Sequence, residues 1–395
     1  MYKITTLNKI AAVGLNHLPK ERYEITADSI SPGTDGILLR SFNMHEMELP
    51  EHLAAIARAG AGINNIPVEA CTERGIVVFN TPGANANAVK ELVLAGLLLA
   101  SRRIVDGINW VQSLQGAQGV AKLVEKEKSR FGGVELAGKK LGVVGLGAIG
   151  VSVANAAQAL GMQVYGFDPF MSVDAAWRLS RSIHKAGGLD EIFTNCEYIS
   201  IHVPLAASTR HVLNKAAFSA MKPGVRLLNF SRAELVDDAA LKAAMDQGIV
   251  DKYVTDFPSE GLLGNPNIIT IPHLGASTAE SEDNCAEMAA VQMKDYLEHG
   301  NIVNSVNFPE CVLPYTGRKR VCVLHKNIPN VIGPLTTAFA KRNINIHGTV
   351  NISRGDVAYS IIEIDGDGQG AREDLQQVEG IIRIRFLKGD NKTWQ

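Results

Sequence analysis

The chain has little of what would mark a disulfide-stapled, metal-clustered, nucleic-acid-binding or membrane-spanning protein. Its five cysteines, Cys71, Cys196, Cys285, Cys311 and Cys322, are scattered, with no CxxC pair and no cluster of histidines beside them at zinc spacing. A disulfide framework and a zinc site are therefore not expected, and the thiols read as reduced and mostly buried; no metal is expected. No basic block occurs: 39 Lys and Arg stand against 41 Asp and Glu, for a net charge of −2. Nothing in that pattern would neutralise a phosphate backbone, so nucleic acid is not an expected partner. The most apolar stretch, Leu92 to Ala100, is bounded by Glu91 and by Ser101-Arg102-Arg103. It falls well short of the roughly 20 residues a membrane helix needs and reads as a buried helix, so no membrane contact is expected. The first residues, Met1 to Asn8, carry neither an apolar segment nor a small-residue cleavage site, from which a cytoplasmic location is expected.

What the chain does have is glycine in a telling arrangement. Leu141-Gly142-Val143-Val144 runs into Gly145-Leu146-Gly147-Ala148-Ile149-Gly150, and a second apolar strand, Val164-Tyr165-Gly166-Phe167, ends at Asp168. In such a turn the first glycine permits the sharp bend after a buried strand. The second lets backbone approach a pyrophosphate, and the third lets the next helix pack closely. The pyrophosphate sits on the helix N-terminus, and a carboxylate at Asp168 can hydrogen-bond a ribose 2′-hydroxyl while repelling a 2′-phosphate. NAD is the expected cofactor, with Gly145, Gly147, Ala148, Ile149, Gly150 and Asp168 around it. The helix from Ala148 to Leu160 stops at Gly161, a fitting C′ glycine.

At 395 residues with 46% apolar content, the chain exceeds one hydrophobic core. The expected division is 1–100 with 283–308 as a substrate domain, 101–282 as the dinucleotide domain, and 318–395 as a C-terminal module. In the first, strands are expected at Ile10–Leu15, Gly36–Leu39 and Ile76–Phe79, with a helix across Glu51–Arg58. In the second, buried strands at Tyr198–Val203, Val225–Asn229, Tyr253–Asp256 and Ile268–Ile271 imply an open, mostly parallel sheet. A long helix, Ala279 to Glu298, leads back to the first domain. Pro309 and Pro314-Tyr315-Thr316-Gly317 read as a short linker, and strand, helix, strand, strand, helix, strand follow it as a βαββαβ module. The tail Lys388 to Gln395 is polar and reads as frayed. The fold class is α/β: a doubly wound parallel-sheet domain, a flavodoxin-like domain and the βαββαβ module.

Hydride chemistry needs a proton acceptor, a group to orient it and a cation for the substrate's charge. His273, Glu260 and Arg232 each follow the C-terminal end of an expected sheet strand, where open α/β sheets place ligands. A histidine suits the proton transfer, a carboxylate would fix its tautomer, and the planar fork of arginine suits a carboxylate. Singly, each has a plainer reading: a surface charge, a loop carboxylate and a satisfied histidine at a strand end.

Five ordered stretches bear on that choice: Ala57–Ile66, Asn80–Asn85, Met221–Gly224, Asn229–Asp237 and Pro272–Thr278. Together they resemble the D-isomer-specific 2-hydroxyacid dehydrogenase family. The resemblance carries the family's arginine and histidine onto Arg232 and His273. It implies further cofactor contacts at His202, Pro204, Thr209, Ser231, Asp256 and Gly275, and a substrate side formed by Arg40, Ser41, Ala61, Gly62 and Asn80. Two positions depart from the pattern. The segment Asp256-Phe257-Pro258-Ser259-Glu260 is shortened, leaving Glu260 as the nearby acid, and Ala233 stands where glycine is common.

Within the family, Arg40 resembles the substrate-side arginine of the branch that oxidises D-3-phosphoglycerate to 3-phosphohydroxypyruvate at the head of L-serine biosynthesis. Phe42 replaces a second basic residue common there. The C-terminal module resembles an ACT domain, and His325-Lys326-Asn327-Ile328-Pro329-Asn330, with Asn345, resembles its serine-contacting turn. The resemblance thus implies a small-molecule substrate, an L-serine effector bound by His325, Asn327 and Asn345, and a homodimer or homotetramer. Alternative expectations are a glyoxylate or hydroxypyruvate reductase and a nicotinamide-sensing regulator without turnover.

Overall fold

The computed structural model describes residues 1–366 and 368–389; the end of the expected polar tail, residues 390–395, lies outside the described residues. The chain forms two compact units, residues 1–84 with 282–395, and residues 85–281. Both begin from the same physics. Apolar runs with no room for alternation become parallel strands buried on both faces.

In the first unit the strands are β1 (Tyr2–Leu7), β2 (Tyr23–Ala27), β3 (Gly36–Leu39), β4 (Ala55–Arg58) and β5 (Val77–Phe79), of which β3 to β5 are the buried apolar runs and β2 is a largely exposed edge. All pair in parallel, in the order β2-β1-β3-β4-β5, which is the flavodoxin-like order. Two short helices, α1 (Ala12–Leu15) and α2 (Val68–Glu73), lie among them. Two expectations are corrected. The stretch expected as a strand at Ile10–Leu15 contains helix α1, and the helix expected across Glu51–Arg58 is a turn followed by β4. Ala55, Ile56 and Ala57 are wholly buried between β3 and β5, and sheet packing there overrides the helical preference of alanine.

The second unit opens with α3 (Ala86–Ser101), placing the boundary at 84/85 instead of 100/101. Val89, Val93, Leu97 and Ala100 of α3 share a core with Leu141, Val143, Val153 and Leu228, so the helix belongs to the sheet beneath it. Next come α4 (Ile104–Ser113) and α5 (Val120–Glu127), neither with a buried residue. The sheet then forms from β6 (Lys140–Val144), α6 (Ala148–Ala159), β7 (Gln163–Phe167), α7 (Val173–Arg178), β8 (His184–Lys185), α8 (Leu189–Asn195), β9 (Tyr198–Ile201), α9 (Lys215–Ala220), β10 (Val225–Asn229), α10 (Asp238–Asp246), β11 (Val250–Thr255) and β12 (Ile268–Thr270). Its order is β12-β11-β10-β9-β6-β7-β8, all parallel. The direction of winding reverses between β6 and β9, and such sheets open their binding crevice at that switch point.

Helix α11 (Ala279–His299) returns the chain to the first unit. It is followed by β13 (Lys319–Lys326), α12 (Ile332–Ala340), β14 (Ile346–Arg354), β15 (Val357–Ile364), α13 (Arg372–Gln376) and β16 (Ile381–Leu387). The four strands are antiparallel, in the order β14-β15-β13-β16. Successive residues of β13 serve different cores, as the pleat requires. Val321 and Val323 pack with Leu335 and Phe339 of α12, whereas Cys322 and Leu324 join Met293, Tyr296 and Phe308 in the core that also holds Ile4 and Phe79.

The module is therefore not a separate bead on a linker. Arginines reinforce the join. Arg385 donates to the carbonyls of Tyr296 and Leu297 at 3.1 and 3.0 Å, at the C-terminal end of α11, where carbonyls are unsatisfied and cations are favoured. Arg383 donates to the carbonyls of Glu51, His52 and Leu53. Arg320, on β13, is buried against Glu363 at 2.8 Å and also donates to the carbonyls of His299, Leu313 and Pro314.

All five cysteines are buried, and burial pushes the thiols of Cys196 and Cys311 up to about 12, so they are held protonated. No described helix is long and apolar enough to cross a membrane.

Replacing Arg320 by alanine would strand Glu363 as a buried charge without its partner. The expected outcome is destabilisation of the first unit by about 3–5 kcal/mol, seen as a lowered denaturant midpoint, with Arg318→Ala at the exposed neighbouring pair near wild type.

Candidate active site

The glycine turn sits at the switch point with the geometry its sequence implies. Gly145 has φ +92°, a left-handed conformation that disfavours a side chain, and its N–H donates to the Phe167 carbonyl at 2.8 Å. A Cβ at Gly150 would lie 1.9 Å from the Gly145 carbonyl oxygen, so α6 can seat only with glycine there. A Cβ at Gly147 would meet no protein atom within 4 Å. Space is left open in front of that residue, and the first turn of α6, at Ala148 and Ile149, has no side-chain cap. These are the conditions for backbone N–H groups to receive an anion.

Asp168 is fixed next to this turn. Its Oδ2 accepts from the Leu146 N–H and its Oδ1 from the Phe170 N–H, each at 2.8 Å. A cavity of about 250 Å³ opens alongside, lined by Gly147, Ala148, Asn155, Ser172 and Arg178 among others. Across the switch point, the His202 ring meets Ser200 Oγ at 2.8 Å through Nε2, while its Nδ1 is buried without a partner. Desolvation pushes this histidine down to about 4, so it is neutral at pH 7. Thr209 closes the following loop, its hydroxyl donating to the Pro204 carbonyl at 2.6 Å. Ser231 ties the ends of β9 and β10 by donating to the Ile201 carbonyl at 2.7 Å.

The chemistry-bearing residues follow β10, β11 and β12. Asp256, at the end of β11, is buried; its Oδ2 accepts from the Gly275 N–H at 2.9 Å, and its backbone carbonyl accepts from the His273 N–H at 3.0 Å. Its Oδ1 is buried with no partner among the described residues. Burial raises this carboxyl above its ordinary value, against the Gly275 hydrogen bond and the neighbouring His273 ring and Arg232 guanidinium, which favour the ionised form. His273 and Arg232 are both exposed. The His273 ring packs on Phe257, with centroids 4.8 Å apart, and Arg232 folds back on the Ser231 carbonyl at 2.6 Å. The structure thus gathers Arg232, Asp256, His273 and Gly275. Glu260 is exposed on the turn after Pro258, and among the described residues neither it nor the Asp256 side chain is hydrogen-bonded to the His273 ring. Phe257, the ring under His273, was not singled out from sequence, although it lies inside the shortened acidic segment.

The residues expected on the substrate side lie in the first unit. Arg40 pairs with Glu282 of α11 at 2.7 Å, a partner 242 positions away that no local signal announces. The Arg40 carbonyl accepts from Arg58 Nε at 2.8 Å and from Asn65, and the Ser41 N–H donates to Asn8 Oδ1 at 3.1 Å. Asn80 donates to the Ala61 carbonyl at 2.7 Å and so holds the Ala61-Gly62 loop. In the C-terminal module, His325 is buried in the sheet, its ring engaging the Lys326 carbonyl, Asn351 and Ser360. Asn327 and Asn345 are exposed; Asn327 donates to the Gly355 carbonyl at 2.9 Å, and Asn345 lies 3.5 Å from His347. Among the described residues no group of three His, Cys, Asp or Glu side chains could hold a metal.

A doubly wound sheet with an uncapped glycine turn, a carboxylate fixed beside that turn, an unsatisfied buried carboxylate oxygen and an arginine and histidine at neighbouring strand ends fits a nicotinamide dinucleotide. That defines the class as a dinucleotide-dependent oxidoreductase. Residues 94–275 match the domain described as "D-isomer specific 2-hydroxyacid dehydrogenase, NAD binding domain". The chain is 30% identical over 402 residues to D-3-phosphoglycerate dehydrogenase of Haemophilus influenzae, covering 97% of this chain and 94% of that protein. It is 31% identical to the enzyme of the same name from Escherichia coli, covering 85% and 82%. The crystal structure of NAD⁺-bound 3-phosphoglycerate dehydrogenase from Entamoeba histolytica superposes with a TM-score of 0.62 at 26% identity, covering 78% of this chain and 98% of that one. The chain belongs to the D-isomer-specific 2-hydroxyacid dehydrogenase family, and it is an NAD-dependent dehydrogenase.

Gly147 separates binding from folding. Its φ of −73° is open to alanine, and the added methyl meets no protein atom. Gly147→Ala is expected to unfold at the wild-type midpoint yet bind NADH at least about tenfold more weakly by fluorescence titration. Unchanged NADH affinity would remove the turn from the cofactor site.

Proposed function

We propose that this chain oxidises D-3-phosphoglycerate to 3-phosphohydroxypyruvate, the first step of L-serine biosynthesis. The observation that carries the chemistry is the placement of Arg232, Asp256 and His273 at the ends of the neighbouring strands β10, β11 and β12, with His273 tied by its backbone N–H to the Asp256 carbonyl at 3.0 Å. NAD, when bound, supplies the hydride acceptor. His273 removes the proton of the 2-hydroxyl, and Glu260 stabilises the positive charge that develops on the ring, with the buried Asp256 carboxylate as a second negative group nearby. Arg232 forks the substrate carboxylate and orients the C2–H that leaves as hydride, and Asp256 Oδ1 offers the cofactor an acceptor. Asp168 accepts from the adenosine ribose and disfavours a 2′-phosphate.

Arg40 is the residue to which the substrate phosphate falls, and the names of the relatives support that assignment. Its pairing with Glu282 favours a second reading, a reductase of unphosphorylated 2-keto acids such as glyoxylate or hydroxypyruvate, in which Arg40 keeps its protein partner. The rest of the proposal concerns context. The enzyme works in the cytoplasm as a homodimer or homotetramer, and the C-terminal module senses L-serine through His325, Asn327 and Asn345. The βαββαβ topology and the exposed amides of Asn327 and Asn345 support the sensing role, with His325 acting from inside the sheet.

His273→Ala is expected to lower kcat by about 10²–10⁴ while NADH still binds, measured by steady-state rates and fluorescence titration. Retained activity would overturn the role of the base. For the substrate, kcat/KM for 3-phosphohydroxypyruvate should exceed that for hydroxypyruvate and glyoxylate by at least about tenfold, and Arg40→Ala should erase the difference. Equal values in the wild type would establish the second reading instead. Inhibition by millimolar L-serine, lost in Asn345→Ala, is the expected signature of the sensor.

A further inference from the structure

A second polar cavity lies in the dinucleotide unit, at the edge of the sheet where the strands begin, away from the glycine turn at their ends. Its volume is about 250 Å³, and its charged lining is Arg102, Arg103, Asp106 and Lys252, over an apolar floor that includes Leu99 and Ile268. Three cations thus face one carboxylate. Lys252, the third residue of β11, is only 9% exposed. Its ammonium donates to the Pro266 carbonyl at 3.1 Å and to Asn267 Oδ1 at 2.8 Å, which leaves one of its three N–H groups to spend.

Among the described residues no carboxylate lies at ion-pair distance from Lys252, and burial lowers its pKa, opposed by the more distant Asp106 and Asp251. Asp251 is already engaged, with Arg226 at 2.9 Å. Arg102 and Arg103, on the short connection from α3 to α4, are exposed, and neither side chain has a hydrogen-bond or ion-pair partner among the described residues. Holding an ammonium out of water with no carboxylate at ion-pair distance is unfavourable. Two unspent guanidinium forks beside it make the same cavity suited to a planar or tetrahedral oxyanion.

We propose that this cavity is an anion-binding site, separate from the cofactor and substrate residues, that takes a small molecule bearing a phosphate or carboxylate and an apolar body. Arg102 and Arg103 grip the oxyanion, the remaining Lys252 N–H completes its contacts, and Leu99 and Ile268 pack against the carbon skeleton. The site is independent of the assignment of the substrate, because none of its residues takes part in the proposed chemistry.

The test is calorimetric titration of the full-length protein, saturated with NAD so that the pyrophosphate site is filled, using phenyl phosphate, benzoate and inorganic phosphate as probes. Phenyl phosphate or benzoate is expected to bind with one equivalent that is retained in Arg40→Ala and weakened at least about tenfold in the double variant Arg102→Ala, Arg103→Ala, whose catalytic rate should equal that of the wild type. Which of the two binds more tightly tells phosphate from carboxylate as the head group. Lys252→Met should abolish the binding, and the exposed double variant keeps the test valid if that change disturbs folding. Inorganic phosphate alone should bind more weakly than phenyl phosphate. No saturable binding by either aromatic probe, or binding lost in Arg40→Ala and intact in the double variant, would overturn the proposal.

Discussion

The dinucleotide unit depends on one close approach, that of helix α6 to the turn beneath it, with no side-chain atom at Gly150 to hold them apart. The approach aims the first turn of α6, with its uncapped N–H groups, at the space in front of Gly147. It also keeps Leu146 where its N–H can hold Asp168. The same geometry leaves the ends of β9, β10 and β11 to carry His202, Ser231 and Asp256, because a doubly wound sheet presents its strand ends on either side of the switch point.

The first unit is organised by a different constraint. Its flavodoxin-like sheet and the C-terminal antiparallel sheet share one core around α11, and arginines on β13 and β16 fill carbonyls that would otherwise face that core unsatisfied. Such bonds are charge-assisted and directional, so they fix the position of the module as well as its association. A ligand bound to the module therefore acts on a structure continuous with α11, the helix that also carries Glu282, the partner of Arg40. That continuity gives the proposed regulation a physical route, through a helix shared by sensor and substrate side.

Where the sequence was legible, a backbone constraint or a long apolar pattern made it so. The turn Gly145 to Gly150 could be read residue by residue because each glycine answers to a separate steric demand, and Asp168 followed from its distance along the chain. Most strands of the dinucleotide sheet were readable as apolar runs, but the exposed edge strand β8, His184-Lys185, carries no such pattern. Legibility failed at Ala55-Ile56-Ala57, an alanine-rich stretch made a strand only by its neighbours, and at Leu92–Ala100, an apolar helix whose owner could not be told from its own composition. The grouping of Arg232 and His273 was legible only with help from family resemblance, since the positions are 41 residues apart and each has a plain alternative.

By itself the sequence determined the local chemistry: where glycine must stand, which runs are buried, and which side chains could move a proton, bind a carboxylate or refuse a 2′-phosphate. The tertiary structure alone decided the company these groups keep. It placed Phe257 under His273 and gave Arg40 to Glu282. It buried His325 in a sheet, brought Lys252 beside Arg102 and Arg103, and merged the C-terminal module with the first unit. Local sequence governs φ, ψ and exposure through nearest neighbours, whereas these pairings depend on which distant faces pack together, a choice set by the summed burial of whole elements.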